Sequence, residues 1–295
     1  MYSNIKVKNM RKTKRLFLFA GYDKNGIIDD SLILYVRTLS KLGDVVLCMD
    51  STCKKSETNK LKHYVLHAIA KRHGEYDFGS YKRAYLWSQQ NLNLSDYDFV
   101  YMVNDSVYGP LFSLKSYLEK METSDTDAFG LVKNTKAAHP HIQSWFIGMQ
   151  KNVFLSKWFD EFISGVKHLA SKGAITHAYE HGFSKYVTEH GGTWMCLYSA
   201  HNRDVYNKIK YYYKQKMPFM KKVAFTRHDG SLGPQISYVL KHTPTQMRNA
   251  IIKNAQRIYG TDYINRTLNQ NRIVAFWRGL KYAVYKIKAH YVKKH

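Results

Sequence analysis

Short apolar runs alternate with amphipathic stretches through the N-terminal and central parts of the chain. Arg15 to Gly21 (RLFLFAG) is a compact apolar run ending on glycine, which predicts a strand followed by a turn. From Asp29 to Leu42 the residues Ile33, Leu34, Val36, Leu39 and Leu42 recur at helical spacing, with Asp29 or Asp30 to cap the helix. Asp44 to Met49 is a second β-rich run, ending at Asp50, so the first three elements read as a βαβ unit with parallel strands and a right-handed crossover. Beyond the Lys-rich connection Ser51 to Lys62, the pattern predicts a strand at Val65 to Ala70 and a helix with Tyr81, Ala84, Tyr85 and Trp87 on its apolar side. Tyr97 to Val103 (YDFVYMV) is the clearest strand and runs straight into Asn104-Asp105-Ser106. Further strands are expected at Ala128 to Val132 and Ser144 to Met149, and helices near Phe154 to Ala170 and Ala178 to Glu189. From about Lys208 the chain turns to Lys, Tyr and Met, with helical stretches after Pro234 and Pro244. The expected fold class is α/β, with a mixed, mainly parallel sheet in residues 1–207 and a basic helical annex in residues 208–295.

Composition narrows the function classes. The 295 residues are 44% hydrophobic and 15% aromatic with five prolines, which excludes a disordered or fibrous chain. Three cysteines without a CxxC pair argue against a secreted disulfide framework and for a reducing cytoplasm. The basic N-terminus leads into an apolar run, Leu16 to Ala20, too short for a signal-peptide core, and no stretch has the ~18 apolar residues of a spanning helix. A formal net charge of +24 reads either as a solvated basic surface with no single partner or as a surface for an anionic one, for which nucleic acid, a nucleoside diphosphate and acidic lipid compete.

Ligands of an open parallel sheet bind outside the carboxyl ends of its strands. Asp50, Glu75, Asp77 and Asp105 all follow predicted strands. An Asp delivered by a buried strand into a polar turn, as in Asn104-Asp105-Ser106, can hold a divalent cation against a diphosphate, although the same residues also suit a plain turn closed by Gly109-Pro110. His139-Pro140-His141 has no nearby Cys or carboxylate and makes a poor zinc site. Glu180, at a helix start, reads equally as a dipole-stabilised surface carboxylate or as a general base.

Six segments in order resemble the rhamnan synthesis protein F family of bacterial glycosyltransferases. They are Phe17 to Asp23 with Gly26 and Asp29-Asp30, Gly74 to Lys82 (GEYDFGSYK), Tyr101 to Leu111 (YMVNDSVYGPL), Gln143 to Phe146 (QSWF), Tyr179 to Ser184 (YEHGFS) and Pro218 to Lys221 (PFMK). The resemblance implies a GT-A-like nucleotide-sugar-binding domain that transfers rhamnose or a related sugar from dTDP-rhamnose or a UDP-sugar to a lipid-linked saccharide of polysaccharide or lipopolysaccharide assembly. Asn104-Asp105-Ser106 then stands where GT-A enzymes carry a metal-binding Asp-x-Asp. With one carboxylate present, Mg²⁺ or Mn²⁺ binding at Asp105 is weaker, shared, or replaced by Lys and Arg.

On that reading transfer is inverting and Glu180 is the base. Tyr22, Asp50, Asp77, Gly79, Lys82, Asn104, Asp105 and Ser106 serve the donor, and Gln143 and Trp145 line the acceptor cleft, although an aromatic in a strand equally suits the core. Two rivals remain: a nucleic-acid binder using Lys208 to Lys216 (KIKYYYKQK), which lacks any recognised nucleic-acid motif and leaves the strand-end acids unexplained, and a nucleotidyltransferase, which needs paired metal carboxylates. Nucleic acid is therefore not the expected partner. Lastly, Ile273, Phe276, Trp277, Leu280, Val284, Ile287 and Tyr291 recur at steps of three and four, among Arg272, Arg278, Lys281, Lys286, Lys288 and Lys293. An amphipathic helix of this kind either packs on its own domain or holds the protein peripherally on an anionic membrane, here the cytoplasmic face of the plasma membrane, and the cationic density with a lipid-linked acceptor favours the second.

Overall fold

The computed structural model describes residues 13–136 and 140–269, together with 271, 273, 276, 277, 280, 283 and 284. Its centre is an eight-stranded sheet. Strands β1 (Arg15–Gly21), β2 (Asp44–Met49), β3 (His67–Ala70) and β4 (Phe99–Asn104) lie in the order β3-β2-β1-β4, all parallel. A short strand, β5 (Val107–Tyr108), follows β4 outside the main sheet. The sheet continues with β6 (Ala128–Asn134), β7 (His141–Ile142), β8 (Phe146–Gln150) and β9 (Trp194–Ala200). β8 runs antiparallel between β4 and β6, β7 is antiparallel to β6 on the same side, and β9 is parallel to β6 on the other side. The expected α/β class with a mixed, mainly parallel sheet is the one observed.

The continuous apolar strands are explained by cover on both faces. Leu16, Leu18 and Ala20 of β1, with Val100 and Met102 of β4, point into one core; Phe17 and Phe19, with Tyr101 and Val103, point into the other. Truncating a fully buried ring such as Phe17 to alanine would cost about 3–5 kcal/mol. Helix α1 (Asp30–Ser40) begins where Asp29 accepts the backbone N–H groups of Ser31 and Leu32, and packs Tyr35, Val36 and Leu39 into the second core. Helix α2 (Tyr76–Asn91) packs Phe78, Tyr81, Ala84 and Tyr85 into the first.

Three expectations shift. Helix α3 (Lys157–Ser164) is shorter than predicted, because Ser156 caps its start and Gly165 its end. The predicted helix at 178–189 is a wide π-helical turn, Thr176–His181, followed by α4 (Gly182–Glu189), so Glu180 sits in the wide turn. Gln143 to Trp145 form the turn between β7 and β8 rather than part of a strand.

The C-terminal region is built onto the sheet domain. Strand β10 (Met220–Lys221) pairs with β5. Helices α5 (Gly233–Lys241), α6 (Thr245–Tyr259) and α7 (Thr261–Leu268) share a third core with Leu34, Tyr108 and Leu111. Among the described residues no helix is long and apolar enough to cross a membrane. Most of the predicted helix at 272–295, like the basic N-terminus and His139, lies outside the described residues.

Candidate active site at the carboxyl ends of the strands

β4 delivers Asn104, Asp105 and Ser106 beyond the sheet, and each is fixed by partners. Asn104 donates from Nδ2 to Asp77 Oδ2 at 2.7 Å, while its Oδ1 accepts the backbone N–H of Ser106 at 3.0 Å and the Ser106 hydroxyl at 2.6 Å. Asp77 lies in the first turn of α2, where the helix dipole favours its charge. Asp105 Oδ2 accepts from Lys222 Nζ at 3.1 Å. Burial raises the Asp105 carboxyl above its usual range, with the Lys222 ammonium opposing the shift.

The lysines arrive through β10. Its antiparallel pairing sets Lys221 opposite Val107 and Met220 opposite Tyr108, the Leu111 N–H donates to Pro218 at 2.7 Å, and the Lys222 N–H donates to Ser106 at 3.0 Å. Gly109 permits this approach: its φ is +146°, and a Cβ there would lie 2.6 Å from the Pro218 oxygen. Lys221 Nζ donates to Ser106 Oγ at 3.0 Å and lies 5.0 Å from the Trp145 ring centre and 5.4 Å from that of Tyr206. Two motifs far apart in sequence, Asn-Asp-Ser with its Gly-Pro and Pro-Phe-Met-Lys, are thus one structural unit.

Glu180 joins the same neighbourhood from the π-helical turn. Its Oε1 accepts the Ser144 N–H at 3.0 Å, and the buried Tyr81 hydroxyl donates to the Ser144 carbonyl at 2.9 Å. Burial pushes the Tyr206 hydroxyl up to about 12, and Glu180 adds to that shift, with Asp77 a smaller contributor. Burial likewise drives the Tyr81 hydroxyl well above its normal range, with Asp77 and Glu180 both reinforcing it. Asp77 and Glu180 therefore act on the same two phenols.

A second group flanks the first strand. Arg257 of α6 donates to Asp23 at 2.6 Å and to Asp29 at 3.0 Å, and Asn254 donates to Asp29. Burial alone would raise the Asp29 carboxyl, but Lys222, Arg257 and the Ser31 and Leu32 hydrogen bonds together hold it low. Tyr22 is exposed, with the Arg72 guanidinium 5.1 Å from its ring centre.

Other expected site residues are placed differently. Asp50 is buried, and its Oδ1 accepts the backbone N–H groups of His73 at 2.7 Å and Gly74 at 2.9 Å, so it ties the end of β2 to the loop before α2. Gly79 lies inside α2, where a Cβ would meet Glu75 Cβ at 2.2 Å. Lys82 donates to the Val166 carbonyl beyond α3 at 2.7 Å. Gln143 and Trp145 are 3% and 2% exposed, and the indole N–H donates to Gln143 Oε1 at 2.7 Å. The Trp145 ring lies beside the Lys221 ammonium, and both Gln143 and Trp145 are almost wholly covered. The sequence reading missed the roles of Arg72, Tyr206, Lys222 and Arg257; only the basic pair following Pro218-Phe219 gave a local signal.

As arranged here, the loop's donor set does not suit a divalent cation. The Asp105 carboxylate and the Ser106 hydroxyl already face ammonium groups. Among the described residues, no three His, Cys, Asp or Glu side chains are grouped so as to hold a metal ion.

Fold and site together define an α/β protein with acidic and cationic side chains gathered at the carboxyl ends of a mainly parallel sheet. Residues 45–290 match the model of rhamnan synthesis protein F, and the chain belongs to that family. A curated relative, the uncharacterized protein y4gN of Sinorhizobium fredii, is 25% identical over 146 residues, which is 46% of this chain and 37% of the relative. The chain thus spans well under half the length of that relative. Among solved structures, a candidate nucleotide-diphospho-sugar transferase of Desulfovibrio desulfuricans is similar over 85% of this chain and 99% of its own, at 16% identity and a TM-score of 0.42. The TarS protein of S. aureus is similar over 87% of this chain and 55% of its own, at 10% identity and a TM-score of 0.33.

Proposed function

We propose that this protein is a glycosyltransferase of polysaccharide assembly, on a GT-A-like scaffold, moving rhamnose or a related sugar from a nucleoside-diphosphate donor to a saccharide acceptor. The observation that carries the reading is the convergence of Asp77, Asn104, Asp105, Ser106 and Glu180 with Lys221 and Lys222, in a chain of the rhamnan synthesis protein F family. The donor diphosphate lies toward the Asn104-Asp105-Ser106 loop. Its nucleoside, as in dTDP-rhamnose or a UDP-sugar, lies toward Tyr22 and Arg72, where an exposed ring and a guanidinium suit a base.

Transfer is inverting. The acceptor oxygen bonds to C1 of the sugar as the bond from C1 to the diphosphate oxygen breaks; that electron pair leaves with the diphosphate, and the acceptor proton passes to Glu180. Glu180 is held for this by the Ser144 N–H.

The acceptor is lipid-linked, and the protein works peripherally at the anionic inner face of the plasma membrane. Two observations support this. No acidic residue follows Asp262 in the sequence, and Ile273, Phe276, Trp277, Leu280 and Val284 are exposed.

The deciding experiment incubates the purified protein with a panel of nucleotide sugars, with and without lipid-linked saccharides, and follows nucleoside diphosphate release. Acceptor-dependent release from one donor is expected. Failure with every donor, alongside an oligonucleotide gel shift, would replace the transferase by a nucleic-acid binder.

A further inference from the structure

On α3 and α4, exposed lysines are paired with a glutamate four residues on: Lys157 with Glu161 at 3.5 Å and Lys185 with Glu189 at 3.4 Å. The short helix Ile209–Lys214 places a second lysine at that spacing instead. Lys210 and Lys214 share one of its faces, an arrangement of like charges that a helix by itself disfavours. Their ammonium groups lie 4.4 Å and 5.9 Å from the centre of one ring, that of Tyr238 on α5. The His242 ring is 4.4 Å from Tyr238, and the Tyr213 ring is 6.3 Å from it. The row of rings continues to Phe112, 5.1 Å from Tyr213, where Lys216 Nζ stands 5.2 Å from the Phe112 ring centre. Lys210, Lys214, Lys216 and His242 are exposed, while Phe112, Tyr213 and Tyr238 are half-buried beneath them. No acidic residue occurs from Val205 to His228 or from Gly230 to Thr261, so the segments that carry these lysines bring no negative charge to the row.

We propose that this row is a docking face for anionic phospholipid headgroups, a second membrane contact beside the C-terminal segment. This rests on the membrane-associated reading of the protein. Lysine stems laid along apolar rings hold their ammonium groups outward, at the height where lipid phosphates lie, and the repulsion between Lys210 and Lys214 is relieved when such an anion meets both. The Tyr238 ring has Lys210 and His242 against it, and the Phe112 and Tyr213 rings pack on each other, so these rings support cations rather than serve as platforms for nucleic-acid bases. Tyr211 of the same helix, 56% exposed, is an amphipathic ring of the kind that settles at headgroup depth. The Ser237 hydroxyl, next to Tyr238, donates to the Leu268 carbonyl at 3.3 Å, so α7 ends against the helix that carries the row, and the basic segment with exposed Phe276 and Trp277 follows it in sequence.

Co-sedimentation of the full chain with vesicles of phosphatidylcholine, and with vesicles of phosphatidylcholine and phosphatidylglycerol in equal parts, tests the inference. Wild type should bind the anionic vesicles more tightly than the neutral ones. Lys210→Gln/Lys214→Gln, folded by circular dichroism, should bind the anionic vesicles roughly tenfold to thirtyfold more weakly, each lysine near such a surface being worth about fivefold. Lys157→Gln/Lys185→Gln removes the same charge elsewhere on the surface and should stay within about twofold of wild type at physiological salt. Equal losses in the two double variants would overturn the inference, because attraction would then follow net charge with no defined face. Unaltered vesicle binding by Lys210→Gln/Lys214→Gln would also overturn it, leaving the membrane reading to stand on the C-terminal segment; if that variant instead loses wild-type affinity for a single-stranded oligonucleotide, the face belongs to nucleic acid. Failure of wild type to prefer anionic vesicles would remove the membrane reading and this inference together.

Discussion

Arg257 ties the C-terminal helices to the loop that follows β1, and its removal should be costly. Its guanidinium reaches Asp23 at 2.6 Å and Asp29 at 3.0 Å, with the two carboxylates 8% and 17% exposed. Arg257→Met keeps the aliphatic stem and leaves two sheltered negative charges without their cation. Breaking a buried pair from one side costs about 3–5 kcal/mol; since Arg257 is itself 26% exposed, solvent screening brings the expectation to about 2–3 kcal/mol. For a chain of this size that corresponds to a fall in melting temperature of roughly 4–12 °C. The pH dependence has a definite sign. The Asp29 carboxyl is held low in the folded state, so its contribution is complete above the unfolded carboxylate range and fades as pH falls through the folded value. The gap between wild type and variant should therefore be full at neutral pH and narrow below about pH 4. Thermal melts by circular dichroism across that range supply the measurement. Adding Asp29→Asn, which removes a charge but preserves a good helix cap, should recover part of the loss. A variant that melts with wild type at neutral pH, or shows the same deficit at every pH, would refute the electrostatic account and leave Arg257 a packing residue.

Three other outcomes are expected. Glu180→Gln should slow transfer by roughly 10²- to 10⁴-fold while donor affinity, read by calorimetry, stays within about twofold; a normal turnover rate would send the search for the base to Asp77. Gly109→Ala should lower stability by about 1–3 kcal/mol in urea titrations and weaken donor binding, because its Cβ would press on Pro218 and Phe219 and displace β10; wild-type behaviour would mean that β10 does not depend on this contact. Deletion of residues 272–295 should reduce co-sedimentation with anionic liposomes while preserving transfer to a soluble acceptor, each nearby cation being worth about 1 kcal/mol at such a surface; undiminished sedimentation of a folded protein would dispose of the membrane anchor.

The sequence alone determined the parallel half of the sheet. A strand covered on both faces must be apolar at every position, so Arg15 to Gly21, Asp44 to Met49 and Tyr97 to Val103 stand out without reference to partners, and Asp29 marks the start of α1 by its own capping bonds. It also determined which acids follow strands, and six ordered motifs pointed to the family. Edge strand β9 escaped notice: Trp194 to Tyr198 are only partly buried, and what makes the segment a strand is the ladder with β6. The site likewise depended on contacts that no local pattern encodes. Lys222 meets Asp105 across 117 positions of sequence and Arg257 meets Asp23 across 234, so neither pairing leaves a periodicity or a spacing to read. The partners of the other expected residues follow from packing for the same reason. Asp50, Lys82, Gln143 and Trp145 have the side chains of ligand contacts, yet the tertiary structure sets each beside a nearer partner: the loop before α2 for Asp50, the Val166 carbonyl for Lys82, and each other for Gln143 and Trp145. A residue type states what bonds a side chain can make; only the packed neighbours decide which of them it has already made.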